Sequence, residues 1–265
     1  MWWLFLDSED QFEDMSEMGD RTNRRLQALK EIYDEQRAWA HDKKAVSRNL
    51  AAVNANARLA VIGEAVGPRT LRLSGVSYFD YEGNIGRSGK FLDAILGSWG
   101  YTVYPPCDVR VPGGTVLCRP GQGRKTAYCS DLCPVFPGYQ PTKSGKTRIR
   151  RPTPQLINSA LDRSFLAREL NIIKPRVILL LGKHAYASVY GHFLKDRPTE
   201  SLSTVVREID SITFRRYNGA IVVPMLHPSP ASPAFLQWIK ASQSSAPYKR
   251  FVQRVTSYLQ TGTGE

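Results

Sequence analysis

Three side chains in this sequence combine a reactive type with an informative position: Glu64, Asp131 and His227. Each stands directly after, or at the end of, a different short apolar run. Carboxylate and imidazole groups hold or move protons, and a carboxylate stabilises positive charge that develops nearby. Ligands of parallel sheets bind beyond the carboxyl ends of the strands. We therefore expect these three residues to meet at one edge of a sheet.

The apolar runs predict the strands of that sheet. They are short, rich in Val, Ile and Leu, and separated by stretches with helical periodicity, which is typical of a parallel sheet covered on both faces. The predicted strands are residues 59–62, 101–104, 127–132, 177–181 and 221–225. Residues 88–96 and 154–173 are predicted helices. The fold class is therefore α/β.

The segment before the first strand differs from the rest of the chain. Residues 9–57 are polar, rich in helix formers and free of proline, and their apolar residues recur near helical spacing. This predicts two amphipathic helices packed on the main domain. We divide the chain into an N-terminal helical extension, residues 1–57, and an α/β domain, residues 58–265. Within the latter, residues 105–125 and 137–154 are predicted to be irregular.

Four segments carry recognisable motifs. They are residues 63–67 (Gly-Glu-Ala-Val-Gly) with 86–93, residues 128–132, residues 174–185, and residues 227–230 (His-Pro-Ser-Pro). In this order they resemble the motifs of the uracil-DNA glycosylase superfamily. The resemblance implies a three-layer α/β/α fold with a central, mostly parallel four-stranded sheet, plus the N-terminal helices. It also implies a DNA glycosylase, which flips a base out of DNA and hydrolyses its N-glycosidic bond.

The resemblance implies roles for the three reactive residues. His227 donates toward the base oxygen as the base leaves, and Glu64 positions water or stabilises the sugar cation, since bond breaking separates these charges. Asp131 stands where the family reads the base. Further candidates for base recognition are Ala65, Asn84 and Tyr81. No lysine stands out as a Schiff-base nucleophile, which favours a monofunctional enzyme that leaves an abasic site.

Two positions depart from the family pattern. The aromatic residue that usually stacks on the flipped base is replaced by Asn84. Tyr78, Phe79 and Tyr81 are the candidates to stack on the base in its place. The leucine that usually follows the final motif and enters the duplex is Ala231 here, so another residue must fill the gap left by the flipped base.

Asp131 is the departure that bears on the substrate. The family's uracil reader is Asn, whereas an ionised Asp offers only acceptors and therefore suits the N4 amine of cytosine rather than O4 of uracil. Ordinary cytosine cannot be excised from a cell's own genome, so a further mark at carbon 5 is expected. This combination resembles bacterial anti-phage glycosylases, which remove glucosylated hydroxymethylcytosine from phage DNA. The role predicted is antiviral defence.

The charge distribution favours DNA as the partner. The net charge is +12, and the first 20 residues hold seven acidic and no basic side chains, so the remainder is more basic still. A basic soluble surface without a nucleic-acid partner is the plain alternative. The candidates for DNA contacts are Arg87, Lys143, Lys146, Arg148, Arg150, Arg151 and Ser229. No membrane segment or signal peptide is recognised, which predicts a cytoplasmic protein, and we expect a monomer.

No cofactor is expected. The cysteines, Cys107, Cys118, Cys129 and Cys133, do not form the two close pairs of a standard zinc module, although a structural zinc site on them stays open. Iron–sulfur members of the superfamily carry two cysteines before the first motif and one each near the positions of Val135 and Ala160. None of these is present, so an iron–sulfur cluster is predicted to be absent.

Two alternative functions stay open. The first is conventional DNA repair, in which uracil or another deaminated base is excised; Asp131 argues against it. The second is a DNA-binding module without catalysis that recruits partners through its N-terminal segment. Glu64 and His227 argue against that alternative.

Overall fold

Four parallel strands built from the predicted apolar runs form the centre of the molecule. The computed structural model describes residues 8–40, 48–67, 74–118, 123–142, 145, 147–196, 198, 200–208, 212–229, 232–242 and 246–261. The strands, in chain order, are β1 (Leu59–Ala65), β2 (Tyr101–Thr102), β3 (Val109–Val111), β4 (Gly114–Val116), β5 (Lys125–Thr126), β6 (Tyr128–Cys133), β7 (Tyr139–Pro141), β8 (Thr147–Ile149), β9 (Val177–Leu181), β10 (Arg216–Tyr217) and β11 (Ala220–Met225).

The helices surround this sheet. They are α1 (Ser8–Ala40), α2 (Arg87–Gly97), α3 (Pro154–Asp162), α4 (Phe165–Ile173), α5 (Gly182–His192), α6 (Leu202–Arg207), α7 (Pro233–Ser242) and α8 (Ala246–Thr261), with a short 3-10 helix at Leu50–Ala52. Helices α3 and α4 contact β6, α5 contacts β1, β9 and β11, and α1 packs on α4. No helix in the described part of the chain has the length and apolarity needed to cross a bilayer.

The central sheet has the strand order β10-β11-β9-β1-β6. Strands β6, β1, β9 and β11 run parallel, and β10 is antiparallel to β11. Every residue of β9 is buried, as expected for a central strand covered on both faces. The prediction of an α/β fold with a mostly parallel sheet is confirmed. The sheet has five strands rather than four, because the two-residue β10 is too short to give an apolar run.

The predicted strand at residues 101–104 lies outside the central sheet. Only Tyr101 and Thr102 are extended, and they pair with β5. The carboxyl group of Asp93 accepts hydrogen bonds from the Thr102 hydroxyl at 2.6 Å and from the Val103 backbone N–H at 3.1 Å. The Val103 donor is therefore used by a side chain and not by a neighbouring strand, so the extended segment ends here.

Two helical predictions were wrong in their boundaries. The expected N-terminal pair of helices is the single helix α1 as far as Ala40, since residues 8–40 contain no proline to end it. The expected helix over residues 154–173 is divided into α3 and α4. Ser164 adopts a left-handed conformation (φ 56°) between them, which ends one helix and starts the next. The division of the chain at residue 57 stays a prediction.

The two segments predicted to be irregular each contain a hairpin. Strands β3 and β4 pair antiparallel within residues 105–125, and β7 pairs antiparallel with β8 within residues 137–154. Three-residue strands in a Gly- and Pro-rich context give no detectable alternation of apolar and polar residues, which is why the sequence did not predict them. The β7–β8 hairpin borders a pocket at the carboxyl ends of the central strands.

Candidate active site

A pocket of about 860 Å³ opens at the carboxyl ends of β1, β6 and β9. Glu64, Asp131 and His227 all line it, so the structure brings together the three residues singled out from the sequence. The other lining residues named as candidates are Ala65, Arg87, Arg150, Arg151 and Ser229. This is the position at which parallel α/β sheets bind ligands, and the volume exceeds what a single nucleobase fills.

Asp131 and Glu64 come from neighbouring strands. In the register of β1 and β6, Gly63 lies directly beside Asp131, and Glu64 is the next residue of β1. Gly63 has no side chain, and a Cβ at this position would collide with Oδ1 of Asp131. The glycine therefore leaves the space that the Asp131 carboxyl group occupies, at the wall of the pocket.

Asp131 sits in an environment that raises its pKa. Its side chain is 16% exposed. Burial raises the pKa of Asp131 to about 6, and Glu169 contributes in the same direction, while the Arg48 guanidinium opposes both. Nη2 of Arg48 lies 3.7 Å from Oδ2 of Asp131. The carboxyl group is therefore mostly ionised at pH 7 and above, and mostly protonated below pH 6.

Glu64 faces a histidine that the sequence analysis did not select. Oε1 of Glu64 lies 3.9 Å from Nδ1 of His184, which is beyond a direct hydrogen bond. On the other side of the ring, Nη1 of Arg151 is 3.0 Å from Nε2 of His184. Since a guanidinium only donates, Nε2 accepts, and the ring proton of neutral His184 stands on Nδ1, toward Glu64. His184 thus links Glu64 to a basic residue at the pocket wall.

His227 reaches the same pocket from β11, two strands away. It follows the strand by two residues, and its carbonyl oxygen accepts a hydrogen bond from the Ser229 backbone N–H at 2.8 Å. Gly182, at the end of β9, has a φ of +87°, and a Cβ there would stand 3.2 Å from Cβ of His227. Desolvation lowers the pKa of His227, although part of the ring faces the open pocket. This shift favours the neutral imidazole.

Tyr78 is the one of the three aromatic substitutes considered that lines the pocket. Of the three substitutes considered, Phe79 is buried in the core, Tyr81 is 46% exposed outside the pocket lining, and Tyr78 lines the pocket. Tyr78 has a φ of +69°, a strained value for a residue with a large side chain. A Cβ on Gly89 would stand 2.8 Å from Cβ of Tyr78, so the glycine permits this close approach of α2.

The expected roles of Tyr81 and Asn84 in base recognition are corrected by this geometry. The Tyr81 ring packs over Gly113, and its carbonyl oxygen accepts a hydrogen bond from the Gly113 N–H at 2.8 Å. Asn84 is exposed and donates to Glu82 at 3.1 Å. Both belong to a turn that packs against the β3–β4 hairpin and do not line the pocket. Sequence spacing alone could not show that Tyr78 turns inward.

The basic candidates fall into three groups. Arg87, Arg150 and Arg151 line the pocket and are exposed. Arg148 lies in β8. Lys143 and Lys146 lie outside the described residues, as does Ala231, the position of the missing leucine. The arginines therefore place positive charge around the pocket mouth.

Three site residues were missed by the sequence analysis. Arg48 contacts Asp131 across 83 positions of sequence, His184 faces Glu64, and Tyr139 on the β7–β8 hairpin lines the pocket while 52% exposed. Only His184 stood near a recognised motif. No local pattern signals the other two, because their importance arises from tertiary contacts.

The cysteines do not converge. Among the described residues, which include all four, no group of three or more His, Cys, Asp or Glu side chains is arranged to hold a metal ion. Cys107, Cys118, Cys129 and Cys133 thus do not form such a group in the described part of the chain. Burial raises the pKa of the Cys129 and Cys133 thiols to about 12 each, so both are neutral thiols.

One family model matches most of this chain. The model of the family described as the uracil DNA glycosylase superfamily matches residues 50–255. The crystal structure of wild-type Pedobacter heparinus SMUG2 is similar, with a TM-score of 0.37 and 14% sequence identity, over 76% of this chain and 74% of that chain. No curated protein sequence matches this chain.

Proposed function

The chain belongs to the uracil-DNA glycosylase superfamily and is a DNA glycosylase, a hydrolase of N-glycosyl bonds, and we propose that its substrate is a cytosine-type base modified at carbon 5. One observation carries the proposal: the carboxyl group of Asp131, at the position where the family resemblance implies the base reader, lies at the pocket wall beside Glu64. An ionised carboxylate accepts from the N4 amine of cytosine and repels O4 of uracil. Its pKa of about 6 keeps Asp131 ionised at neutral pH.

Glu64 and His227 divide the catalytic work in this proposal. As the glycosidic bond breaks, positive charge develops on the sugar and negative charge on the base. The carboxylate of Glu64 stabilises the sugar cation or positions the attacking water. His227, whose lowered pKa favours the neutral imidazole, donates a hydrogen bond to the base oxygen. Hydrolysis by this pair leaves an abasic site without strand cleavage, the monofunctional reaction proposed here.

The pocket has room for a substituent on the base. It extends from Asp131 to the β7–β8 hairpin, where its lining includes Tyr139, Thr147 and Arg150. An aromatic ring, a hydroxyl and a guanidinium are groups that bind sugars and their hydroxyls. Asn84, which replaces the family's stacking aromatic, lies outside the lining, so the hairpin side of the pocket provides this room. Glucosylated hydroxymethylcytosine in phage DNA fits these requirements, and anti-phage defence follows as the biological role.

Access to the base requires flipping. A base inside a duplex is out of reach, so glycosylases extrude the nucleotide into a pocket and stack it against an aromatic side chain. Tyr78 provides that ring, and the exposed Arg87, Arg150 and Arg151 attract the phosphates around it. The partner in this proposal is DNA bound by a monomer in the cytoplasm.

The deciding experiment measures abasic-site formation on a panel of DNAs. The panel holds uracil, hypoxanthine, cytosine, hydroxymethylcytosine and glucosylated hydroxymethylcytosine. We expect cleavage of the modified cytosine alone, with Asp131→Asn shifting the preference toward uracil. Excision of uracil by the wild-type enzyme, and none of modified cytosine, would instead establish conventional repair.

Mutation separates the roles of the catalytic pair. His227→Ala and Glu64→Ala should slow excision while DNA binding is kept. His192→Ala, at the end of α5 and outside the pocket lining, is the matched control and should leave the rate unchanged. If both pocket variants retain the wild-type rate, the active site lies elsewhere.

A further inference from the structure

Arg48 lies along β6, the edge strand of the central sheet in the described part of the chain. Its Nη1 donates to the carbonyl oxygen of Cys129 at 2.7 Å. Nη2 donates to Oγ of Ser130 at 3.3 Å and lies 3.7 Å from Oδ2 of Asp131. Successive residues of a strand point to opposite faces. The guanidinium therefore joins Asp131, on the pocket face, to Ser130 on the other face.

A buried hydrogen-bond network fixes this guanidinium. The carboxyl group of Glu169 is 1% exposed and accepts from Ser130 Oγ at 2.5 Å, from Tyr128 OH at 2.7 Å and from Gln36 Nε2 at 2.6 Å. Ser130 has one hydroxyl proton, which it gives to Glu169, so its oxygen is free to accept from Arg48. The chain of donors runs from Arg48 through Ser130 to Glu169.

Tyr33 of α1 closes the network from the N-terminal side. The hydroxyl of Tyr128 donates to Glu169, so the 3.0 Å bond between the Tyr33 and Tyr128 hydroxyls has Tyr33 as its donor. The Arg48 guanidinium carbon lies 5.5 Å from the centre of the Tyr33 ring, a cation–π distance. Arg48 is thus held by contacts from α1 and β6 at once, and its planar group has little freedom to turn.

The Arg48 guanidinium carries a charge whose burial is energetically unfavourable. Its side chain is 4% exposed, and its Nε is buried with no hydrogen-bond partner among the described residues. A buried charge with an incomplete set of partners is costly, and an apolar side chain of similar volume commonly stabilises a fold better. The Arg48 charge interacts both with buried Glu169 and with Asp131, and of these two carboxyl groups Asp131 is the one that lines the pocket.

We propose that Arg48 is a positioning residue that determines which base the pocket accepts, by holding Asp131 as an oriented, unprotonated acceptor. This inference rests on the proposed function, in which Asp131 reads the base. The ionisable groups around Asp131 in the described part of the chain are Arg48, Glu169, Tyr78, Cys129, Cys133 and Glu64. Arg48 is the one cation among the described residues whose charge acts on the pKa of Asp131, while His227, Arg87, Arg150 and Arg151 line the same pocket. Without Arg48, Asp131 takes up a proton more readily and becomes a donor, which suits O4 of uracil.

The test compares excision of two bases by single-turnover kinetics. One duplex carries glucosylated hydroxymethylcytosine and the other carries uracil. Arg48→Met should lower the ratio of the two rate constants by roughly tenfold or more at pH 7, because an opposite charge at this distance commonly changes a carboxyl pKa by about 1–3 units. Arg48→Lys keeps a cation and should restore most of the ratio. The acid limb of the pH–rate profile for modified cytosine should move to higher pH in Arg48→Met.

A second background separates this role from a merely structural one. In Asp131→Asn, the reading side chain cannot ionise, so adding Arg48→Met should no longer change the ratio or the pH profile. Ser130→Ala breaks the Arg48–Ser130–Glu169 chain with little loss of volume and should shift the ratio of rate constants in the same direction. If Arg48→Met does not fold, Ser130→Ala provides the test of the positioning role.

Two results would overturn the inference in distinguishable ways. If Arg48→Met and Ser130→Ala slow both substrates by the same factor, in both backgrounds, Arg48 only supports the fold. In that case base selection by Asp131 can still hold. If the wild-type enzyme excises uracil only, and Asp131→Asn changes nothing, the proposed function fails and the inference fails with it.

Discussion

Replacing Gly63 with alanine moves the Asp131 carboxyl group while leaving its chemistry intact. The new Cβ would collide with Oδ1 of Asp131, whereas the next nearest atoms, Cγ of Asp131 and the Ser130 carbonyl oxygen, stand at ordinary distances of 3.6 and 3.8 Å. Only the carboxyl group must therefore yield, by about 1 Å, to regain a normal contact. Because a misplacement of about 1 Å can lower a rate by about 100-fold, we expect such a loss in kcat/KM for modified cytosine.

The assay pairs single-turnover abasic-site formation with thermal unfolding. Overpacking of this kind costs about 1–3 kcal/mol, so Gly63→Ala should stay folded while its excision rate falls. Gly191→Ala, on α5, has open space around the new methyl group and serves as the matched control. Wild-type excision by a folded Gly63→Ala enzyme would refute the idea that Asp131 must hold its observed orientation to read the base.

Three further predictions concern the Tyr78 ring, the acid limb of the pH–rate profile and the phosphate contact of Arg150. Tyr78→Ala should lower kcat/KM by about 10- to 100-fold, since base–aromatic stacking contributes about 1–3 kcal/mol, while Tyr78→Phe should retain most activity in the same steady-state assay. A pH–rate profile for modified cytosine should fall below pH about 6 as Asp131 takes up its proton, and this limb should vanish in Asp131→Asn. Arg150→Ala should reduce the slope of log affinity against log salt by about 1 in fluorescence anisotropy; an unchanged slope would remove Arg150 from the phosphate contacts.

The sequence predicted the sheet well because its strands are buried on both faces and read as apolar runs. The same logic placed Glu64, Asp131 and His227 at one pocket, since each lies near or just beyond the carboxyl end of a parallel strand. It failed where geometry depends on a single backbone torsion. The left-handed conformations of Tyr78 and Ser164 turn a ring into the pocket and divide a helix, and neither residue type favours that conformation, so no local rule predicts either event.

The partners of the base reader lie far apart in the chain. Tyr33, Gln36 and Arg48 belong to the segment that composition alone separates from the α/β domain, yet they share one buried network with Glu169 and the strand that carries Asp131. Polar groups in such a network polarise one another, and removing one leaves another unsatisfied in a low-dielectric interior. Gln36→Leu on α1 therefore removes a hydrogen-bond donor from Glu169. Through Ser130 this changes the position of Arg48, and through Arg48 the position of Asp131 in the pocket. Under the proposed roles of Asp131 and Arg48, base selection depends on helix and sheet together.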